Sequence, residues 1–292
     1  MDNELVKLAQ RKCLRCKHSW IQRQAQLPNQ CPNCHSPYWN TPKWKIDGPG
    51  IRKEDVSRLV RCISTLPPID PKQDVVFRSS AEKVLDCVLS LNRRYNEFVV
   101  PRVGRFKECF PTVNSLDELK ACIVSVGGPV NLYNSYLDYD YPDAAIMFGN
   151  VLDYLLSVYV RYPGVNEEEK LKAWACSLHA DGYKNIWRDV NGEWDNIPFF
   201  SIAGWQYLRM LFGADTCKPD IAVKRFVKSC LGKGVSELTV VRLIEAAAPE
   251  ALKGHPQPVR EADRRIWHKF NSEQATEKKR TNNVTCHSHT TE

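Results

Sequence analysis

Residues 197–227 read IPFFSIAGWQYLRMLFGADTCKPDIAVKRFV, and this stretch decides the fold. Its apolar residues recur at helical spacing over 202–212, and Gly213 ends that helix. Pro219 fixes the backbone ahead of Asp220, which is placed to cap a second helix over 220–231. The stretch therefore predicts two helices joined by a short loop, with an aspartate at the start of the second helix.

Asp220 has two interpretations on these residues alone. Lys218, Lys224 and Arg225 lie close to it in sequence, which suits a surface that faces phosphates. A helix N-terminus also favours negative charge, so Asp220 could be an ordinary cap on a basic helix. Both interpretations stay open at this level.

Further helical patterns lie on both sides of this stretch. Phe98-Val99-Val100 is the one hint of a strand outside the N-terminal region. The chain is therefore predicted to be mainly α, with a helical domain over 79–272 and a polar, disordered tail over 273–292. The other predicted helices cover 79–94, 115–126, 142–161, 167–180, 236–248 and 259–270.

The N-terminal region contains two CxxC pairs. Each CxxC turn lets two sulfurs face one tetrahedral metal ion, so the four cysteines predict a structural zinc site in a small β zinc ribbon over 1–45. So small a core cannot fold by burial alone, and zinc binding should be coupled to folding. Residues 46–78, interrupted by Gly48-Pro49-Gly50, are predicted to be a linker with a short helix at 54–65. The predicted zinc ligands are Cys13, Cys16, Cys31 and Cys34.

The positive charge is concentrated at the N-terminus. Residues 1–53 contain ten Lys or Arg and three acids, which accounts for the whole net charge of +7. Such a basic module favours a polyanion, most often nucleic acid, although a basic surface can also serve solubility alone. The N-terminus lacks an apolar signal core, and no run of 18 apolar residues suggests a membrane span. We therefore expect a cytoplasmic protein that associates with DNA and not with a membrane.

The stretch 197–227 resembles the core of the helix-hairpin-helix (HhH-GPD) DNA glycosylase superfamily. That pattern is a hairpin, a helix closed by Gly, a short loop, and an Asp that opens the next helix. Here Ile197–Ser201 takes the hairpin position and Asp220 the position of the aspartate. Residues 84–96 and 261–267 resemble the first and last helices of the glycosylase domain.

The resemblance implies a monomeric enzyme that acts on double-stranded DNA. A damaged or modified base would be flipped into a pocket, and Asp220 would assist hydrolysis of its N-glycosidic bond. Aromatic side chains would hold the base by stacking, and we expect Tyr95, Trp205 and Tyr207 in this role. The residues expected to contact DNA are Arg94, Arg102, Ser201, Lys218, Lys224 and Arg225.

Three departures from the family pattern restrict the activity. The lysine nucleophile of bifunctional members is replaced by Ile202 or Ala203, so we expect no lysine-dependent lyase activity. Only Cys230 and Cys286 follow Cys217, so the iron–sulfur cluster of some members is not expected. The hairpin position lacks glycines, which leaves a non-catalytic DNA-binding protein on a glycosylase scaffold as the alternative. A protein-interaction adaptor built on the zinc ribbon is a third possibility.

Overall fold

Helices make up most of the described chain, and the strands lie near its N-terminus. The computed structural model describes residues 10–13, 18–21, 28, 30–33, 51–70, 79–177, 197 and 200–287. The chain divides into two units, Met1–Gly50 and Ile51–Glu292. A mainly α fold class with a small β element is confirmed.

The first unit contains two short antiparallel strands, β1 (Gln10–Lys12) and β2 (Ser19–Ile21). Arg11 lies opposite Trp20 in the register of the pair. Directly after β1, the N–H of Cys13 donates to the carbonyl of His18 at 2.8 Å. The strand pairing therefore fixes the position of Cys13.

The part of the second unit that the structure describes is mostly helical. Two π-helical segments, Tyr95–Val99 and Leu132–Tyr136, and a 3-10 turn, Tyr159–Arg161, adjoin the α-helices. In chain order the helices are α1 (Lys53–Ser64), α2 (Ser80–Leu89), α3 (Val100–Cys109), α4 (Leu116–Ser125), α5 (Pro129–Asn131), α6 (Pro142–Val158), α7 (Glu167–Cys176), α8 (Ile202–Leu211), α9 (Ile221–Leu231), α10 (Glu237–Ala251) and α11 (Pro258–His287).

Polar caps set several helix boundaries. The hydroxyl of Ser79 accepts the N–H of Glu82 before α2, and Ser115 with Glu118 forms a capping box before α4. Such side chains satisfy N–H groups that have no partner inside the helix. Gly232, with φ of 72°, ends α9 in the left-handed conformation that glycine adopts without strain.

Two hydrophobic cores hold the helical unit together. The first involves α2 to α8 and contains the fully buried side chains of Phe148 and Leu152. The second involves α1, α9, α10 and α11 and contains Leu59 and Ile244. The chain passes from the first core to the second through the loop between α8 and α9, residues 212–220, so this loop lies where the cores meet.

The helix α1 packs as part of the second core, whereas the sequence placed it in a linker. Leu59 and Ile63 are fully buried. Asp55 is also buried, and its carboxylate accepts hydrogen bonds from Arg52 and from Lys233 beyond α9. Pro67 and Pro68 break the helical pattern after α1, so the sequence separates α1 from the helical domain. The pairing of Asp55 with Lys233 joins residues far apart in sequence, which no local pattern reveals.

Two further expectations differ from the structure. Phe98 and Val99 belong to the π-helical segment that leads into α3, and not to a strand; Pro101 favours the helical start. The helix α11 continues to His287, over residues predicted to be a disordered tail. Residues 273–287 contain no Pro or Gly and include good helix formers such as Ala275 and Lys278.

The helix α6 lies in the middle of the first core. Among the described residues, Pro142–Arg161 is long and apolar enough to cross a membrane by length and composition, and half of it is buried inside the fold. Phe148, Val151 and Leu155 are fully buried by neighbouring helices. A core helix has the same composition as a membrane span, so the expectation of no membrane span stays a prediction.

Replacing Gly204 with alanine should destabilise the fold by about 1–3 kcal/mol. A Cβ at this position would lie 2.7 Å from Cε2 of Phe200, a ring that is buried and packed edge-on against Trp205. The matched control is Gly149→Ala in α6, where the new Cβ would lie 3.5 Å from Cγ of Pro129, an ordinary contact. Helix propensity should make that control neutral or stabilising, by up to about 1 kcal/mol. Denaturant unfolding measures both, and equal effects would contradict the packing at Gly204.

Candidate active site

A cavity of about 630 Å³ opens where the two cores meet. Its size lies within the range of small-ligand sites. The first core contributes Tyr95 and Tyr207 to its wall, and the loop before α9 contributes Lys218 and Asp220. The helix α11 contributes Asp263 and Trp267 among others. The cavity therefore combines aromatic rings with several charged groups.

Asp220 caps α9 with one carboxylate oxygen. Its Oδ1 accepts the N–H groups of Ala222 and Val223 at 2.9 Å and 3.1 Å. Its Oδ2 accepts no hydrogen bond from the residues that the structure describes, and the half-buried side chain lines the cavity. The cap thus fixes the carboxylate through one oxygen and leaves the other for a ligand or water.

A buried carboxylate fixes the aromatic wall. Asp86, in α2, is fully buried and accepts the hydroxyls of Tyr207 at 2.6 Å and Tyr95 at 2.8 Å. Burial raises the pKa of Asp86 to about 6, against the hydrogen bonds from the tyrosines, which lower it. Burial and the neighbouring carboxylate raise the pKa values of both tyrosines. Both rings therefore keep their hydroxyl protons and stay oriented on Asp86.

Lys218 connects the loop to both sides of the cavity. Its Nζ donates to Oγ of Ser90 at 3.1 Å and lies 4.1 Å from the ring centroid of Tyr207. Its positive charge also acts on Asp86. The ammonium group therefore partly neutralises a buried carboxylate and stacks on the aromatic wall.

Two acids of α11 lie beside this loop. Asp263 is buried, and its Oδ1 accepts the backbone N–H of Lys218 at 2.8 Å. Burial, followed by the charge of Asp220, raises the pKa of Asp263 to about 8. Glu261 is also buried but is held by Arg265 at 2.8 Å and Arg264 at 3.0 Å. The two acids thus differ in how their charges are compensated: two arginines neutralise Glu261, whereas a second acid, Asp220, lies near Asp263.

The structure does not place Trp205 in the cavity wall. Its side chain is 1% exposed and packs in the first core against Phe200 and Tyr154. Trp205 and Tyr207 are two positions apart in α8, which puts them on nearly opposite faces of the helix. Of the three residues expected in the base pocket, Tyr95 and Tyr207 line the cavity and Trp205 does not; stacking of a base on the two tyrosines stays a prediction.

The other residues expected to contact DNA lie outside the cavity lining, except for Lys218. Arg94 is exposed and pairs with Glu97, and Lys224 pairs with Glu237. The guanidinium of Arg102 lies 3.8 Å from the ring centroid of Phe98 and donates to a backbone carbonyl of Asp138. Ser201, at the start of α8, and Arg225, near the ring of Phe270, are exposed. Their predicted DNA contacts stay predictions.

The first unit brings together two of the four predicted zinc ligands. Cys13 and Cys31 are fully buried and pack with Trp20, while Cys16 and Cys34 lie outside the described residues. In the part of the chain that the structure describes, no group of three or more His, Cys, Asp or Glu could hold a metal ion. One buried cysteine from each CxxC pair is consistent with a four-thiolate zinc site, in which zinc would stabilise the ribbon.

Sequence reasoning missed Asp86, Asp263 and Trp267. Both aspartates carried a signal. Asp86 interrupts the apolar run from Val84 to Leu89, and Asp263 lies on the same helical stripe as buried residues of α11. A carboxylate in such a position is buried, and buried carboxylates are rarely without a specific partner.

The variant Asp263→Asn should flatten the pH dependence of stability between about pH 6.5 and about pH 8. Native Asp263, with a pKa of about 8, keeps a proton that the unfolded chain has lost, because its unfolded pKa is about 4. Wild-type stability should therefore fall as pH rises through this window, by at most about 1.4 kcal/mol per pH unit from this group. The pKa of Asp86 is about 6, so this group changes the stability mainly below about pH 6.5. Denaturant midpoints measure the slope, and an equally steep decline in the variant would contradict the assignment.

Chelation should remove one zinc ion per chain and unfold the first unit alone, because zinc binding and folding are coupled in small ribbons. Released metal can be measured with a chromogenic indicator, and the helical signal can be followed by circular dichroism. The variant Cys13→Ser should lose the metal, whereas Cys109→Ser, an exposed cysteine of α3, should keep it. Full zinc content in the Cys13 variant would exclude the site.

Comparison with known proteins assigns a family to the helical unit. The model of a domain of unknown function, DUF8548, matches residues 60–271. The matched range includes the loop before α9 and all the residues that line the cavity. Neither the curated proteins nor the solved structures gave a significant match. Because the family model covers more than half of the sequence, the chain belongs to the DUF8548 family.

Proposed function

We propose that this protein is a monofunctional DNA glycosylase, which hydrolyses the N-glycosidic bond of a damaged or modified base in double-stranded DNA. The observation that carries the proposal is the position of Asp220. Its carboxylate opens a helix, is fixed by that helix through Oδ1, and lines a cavity of base-binding size. A carboxylate that served only as a helix cap would not need to line a cavity.

The arrangement around Asp220 supports a helix-hairpin-helix glycosylase fold. The helix α8 ends before Gly213, whose φ is 102°, and the loop then leads to Asp220 at the start of α9. The helix α11 lies against this loop, as expected for the closing helix. This order of helix, glycine, loop and aspartate matches the pattern of the superfamily.

The cavity residues supply the groups that glycosidic hydrolysis requires. A base flipped out of the duplex would enter between Tyr95 and Tyr207, whose rings offer apolar faces. The negative charge of Asp220 would stabilise the positively charged sugar as the bond breaks. Its Oδ2 would also orient a water molecule toward C1′ and accept its proton. The zinc ribbon, with its basic residues, would add affinity for the DNA backbone inside the cell.

The absence of a lysine from the start of α8 favours hydrolysis over lyase chemistry. Ile202 and Ala203 occupy that position. The amine of Lys218 does line the cavity, but Ser90 and the ring of Tyr207 hold it. Borohydride treatment of the protein with its DNA product should therefore trap no covalent complex. A trapped complex that disappears in Lys218→Gln would replace the monofunctional assignment with a lyase.

One observation favours the alternative, a non-catalytic DNA-binding protein. Phe200, at the hairpin position, is 3% exposed and packs on Gly204 and Trp205. A glycine at this position would let the backbone approach a phosphate closely, whereas Phe200 uses the position to fill the first core. Weaker phosphate contact at this hairpin would leave binding to the ribbon and to other basic residues.

The variant Asp220→Asn should lower base excision by at least about 100-fold, because asparagine cannot carry the charge or accept the proton. The protein would be incubated with duplexes that contain a panel of damaged and modified bases, and hot alkali would then cut any abasic site. Asparagine keeps the capping oxygen, so loss of the helix cap would not explain the result. The matched control is Asp215→Asn, an exposed acid in the same loop that accepts the N–H of Arg260.

Two outcomes would contradict the catalytic proposal. Excision at the wild-type rate in Asp220→Asn would remove Asp220 from the mechanism. No excision by the wild type, together with binding to the same duplexes that weakens steeply with salt, would support the non-catalytic alternative.

A further inference from the structure

Two carboxylates from different parts of the fold share the cavity. Asp220 comes from the start of α9, and Asp263 comes from the first half of α11. Asp263 is 8% exposed, and its one hydrogen bond among the described residues is the bond from Lys218 N–H to Oδ1. Its Oδ2 has no protein partner in that part of the chain, although the side chain lines the cavity. This oxygen belongs to a side chain that lines the cavity, so it is available to a ligand.

The surroundings of Asp263 favour its protonated form. Burial and the charge of Asp220 raise its pKa, and the N–H and ammonium of Lys218, with Arg260 on its own helix, only partly oppose them. On the side of the second core it faces the buried thiol of Cys217. With a pKa of about 8, Asp263 carries a proton at neutral pH and can donate it.

We propose, on the basis of the glycosylase function above, that Asp263 is the general acid that protonates the departing base. The proposal also defines the substrate class. The substrate would be a neutral base that presents a ring nitrogen or carbonyl oxygen to Asp263 and that leaves poorly until it is protonated. A base that is already cationic, such as 7-methylguanine, departs as a neutral molecule and does not need this acid.

The reaction then balances, because Asp263 donates one proton and Asp220 accepts one. The bond between C1′ and the base nitrogen breaks, and its electron pair goes to the base. The proton of Asp263 moves to the acceptor atom of the base, which departs neutral. The oxygen of a water molecule bonds to C1′, and the proton it loses goes to Asp220. Transfer of one proton from Asp220 to Asp263 through solvent restores both groups.

Single-turnover excision tests the assignment with three probes: duplexes that carry hypoxanthine, 1,N6-ethenoadenine or 7-methylguanine. For Asp263→Asn we expect the rate on the neutral bases, divided by the rate on 7-methylguanine, to fall at least about 100-fold. Asparagine can still accept the Lys218 N–H, and Asp263→Glu should recover part of the ratio. The control Asp215→Asn should leave the ratio unchanged, because Oδ1 of asparagine can still accept the N–H of Arg260.

The pH profile gives a second readout that a purely structural role would not produce. The wild-type rate on a neutral base should fall about tenfold per pH unit above about pH 8, as Asp263 loses its proton. The decline should be absent from Asp263→Asn.

Each outcome separates this assignment from the proposed function. An unchanged ratio in Asp263→Asn, or excision of 7-methylguanine alone by the wild type, would overturn the role of Asp263 and leave the glycosylase proposal standing. No excision of any probe or of any panel base by the wild type would overturn both. A lower ratio in Asp263→Asn, together with the absence from this variant of the fall in rate above about pH 8, would establish Asp263 as the acid.

Discussion

Three hydrogen bonds attach the loop between α8 and α9 to α11 and to the residue just before it, and the geometry of the cavity depends on them. Gln257 donates to the carbonyl of Gly213, the N–H of Arg260 donates to Asp215, and Lys218 N–H donates to Asp263. The loop leads from the first core to the second, so these bonds help to hold the two cores together. Because they involve backbone groups, they position Asp220 without using its own side chain.

Three buried acids lie in or behind the wall of the cavity, and their charges are compensated to different degrees. Asp86 has two tyrosine hydroxyls and a nearby ammonium group, and Glu261 has two arginines. Asp263 has one backbone N–H and faces another acid. Burying a carboxylate costs stability unless partners compensate it, and such cost is commonly found where a site needs a shifted pKa. Asp263 is the least compensated of the three acids, which supports a chemical role for Asp263 and structural roles for Asp86 and Glu261.

Local patterns in the sequence accounted for the parts of the site that depend on neighbours in the chain. The helix over 202–212, the glycine at its end and the capping position of Asp220 follow from spacing and cap chemistry, and the structure has all three. Trp205 was misplaced because spacing alone does not say which face of α8 meets the core. The helix α1 was misplaced because its partners, among them Lys233, lie far along the chain.

The sequence by itself determined the mainly helical class, the helix–loop–aspartate order and the CxxC pairs, since each depends on residues within a few positions of one another. Only the tertiary structure decided that Asp86 and Asp263 are buried beside the same cavity, and that Tyr95 and Tyr207 share one carboxylate. Residues 86 and 263 are far in sequence from each other and from the segment that contains 207 and 220, and the packing of the two cores brings them together. Their pKa values depend on burial and on one another's charge, which no local pattern encodes.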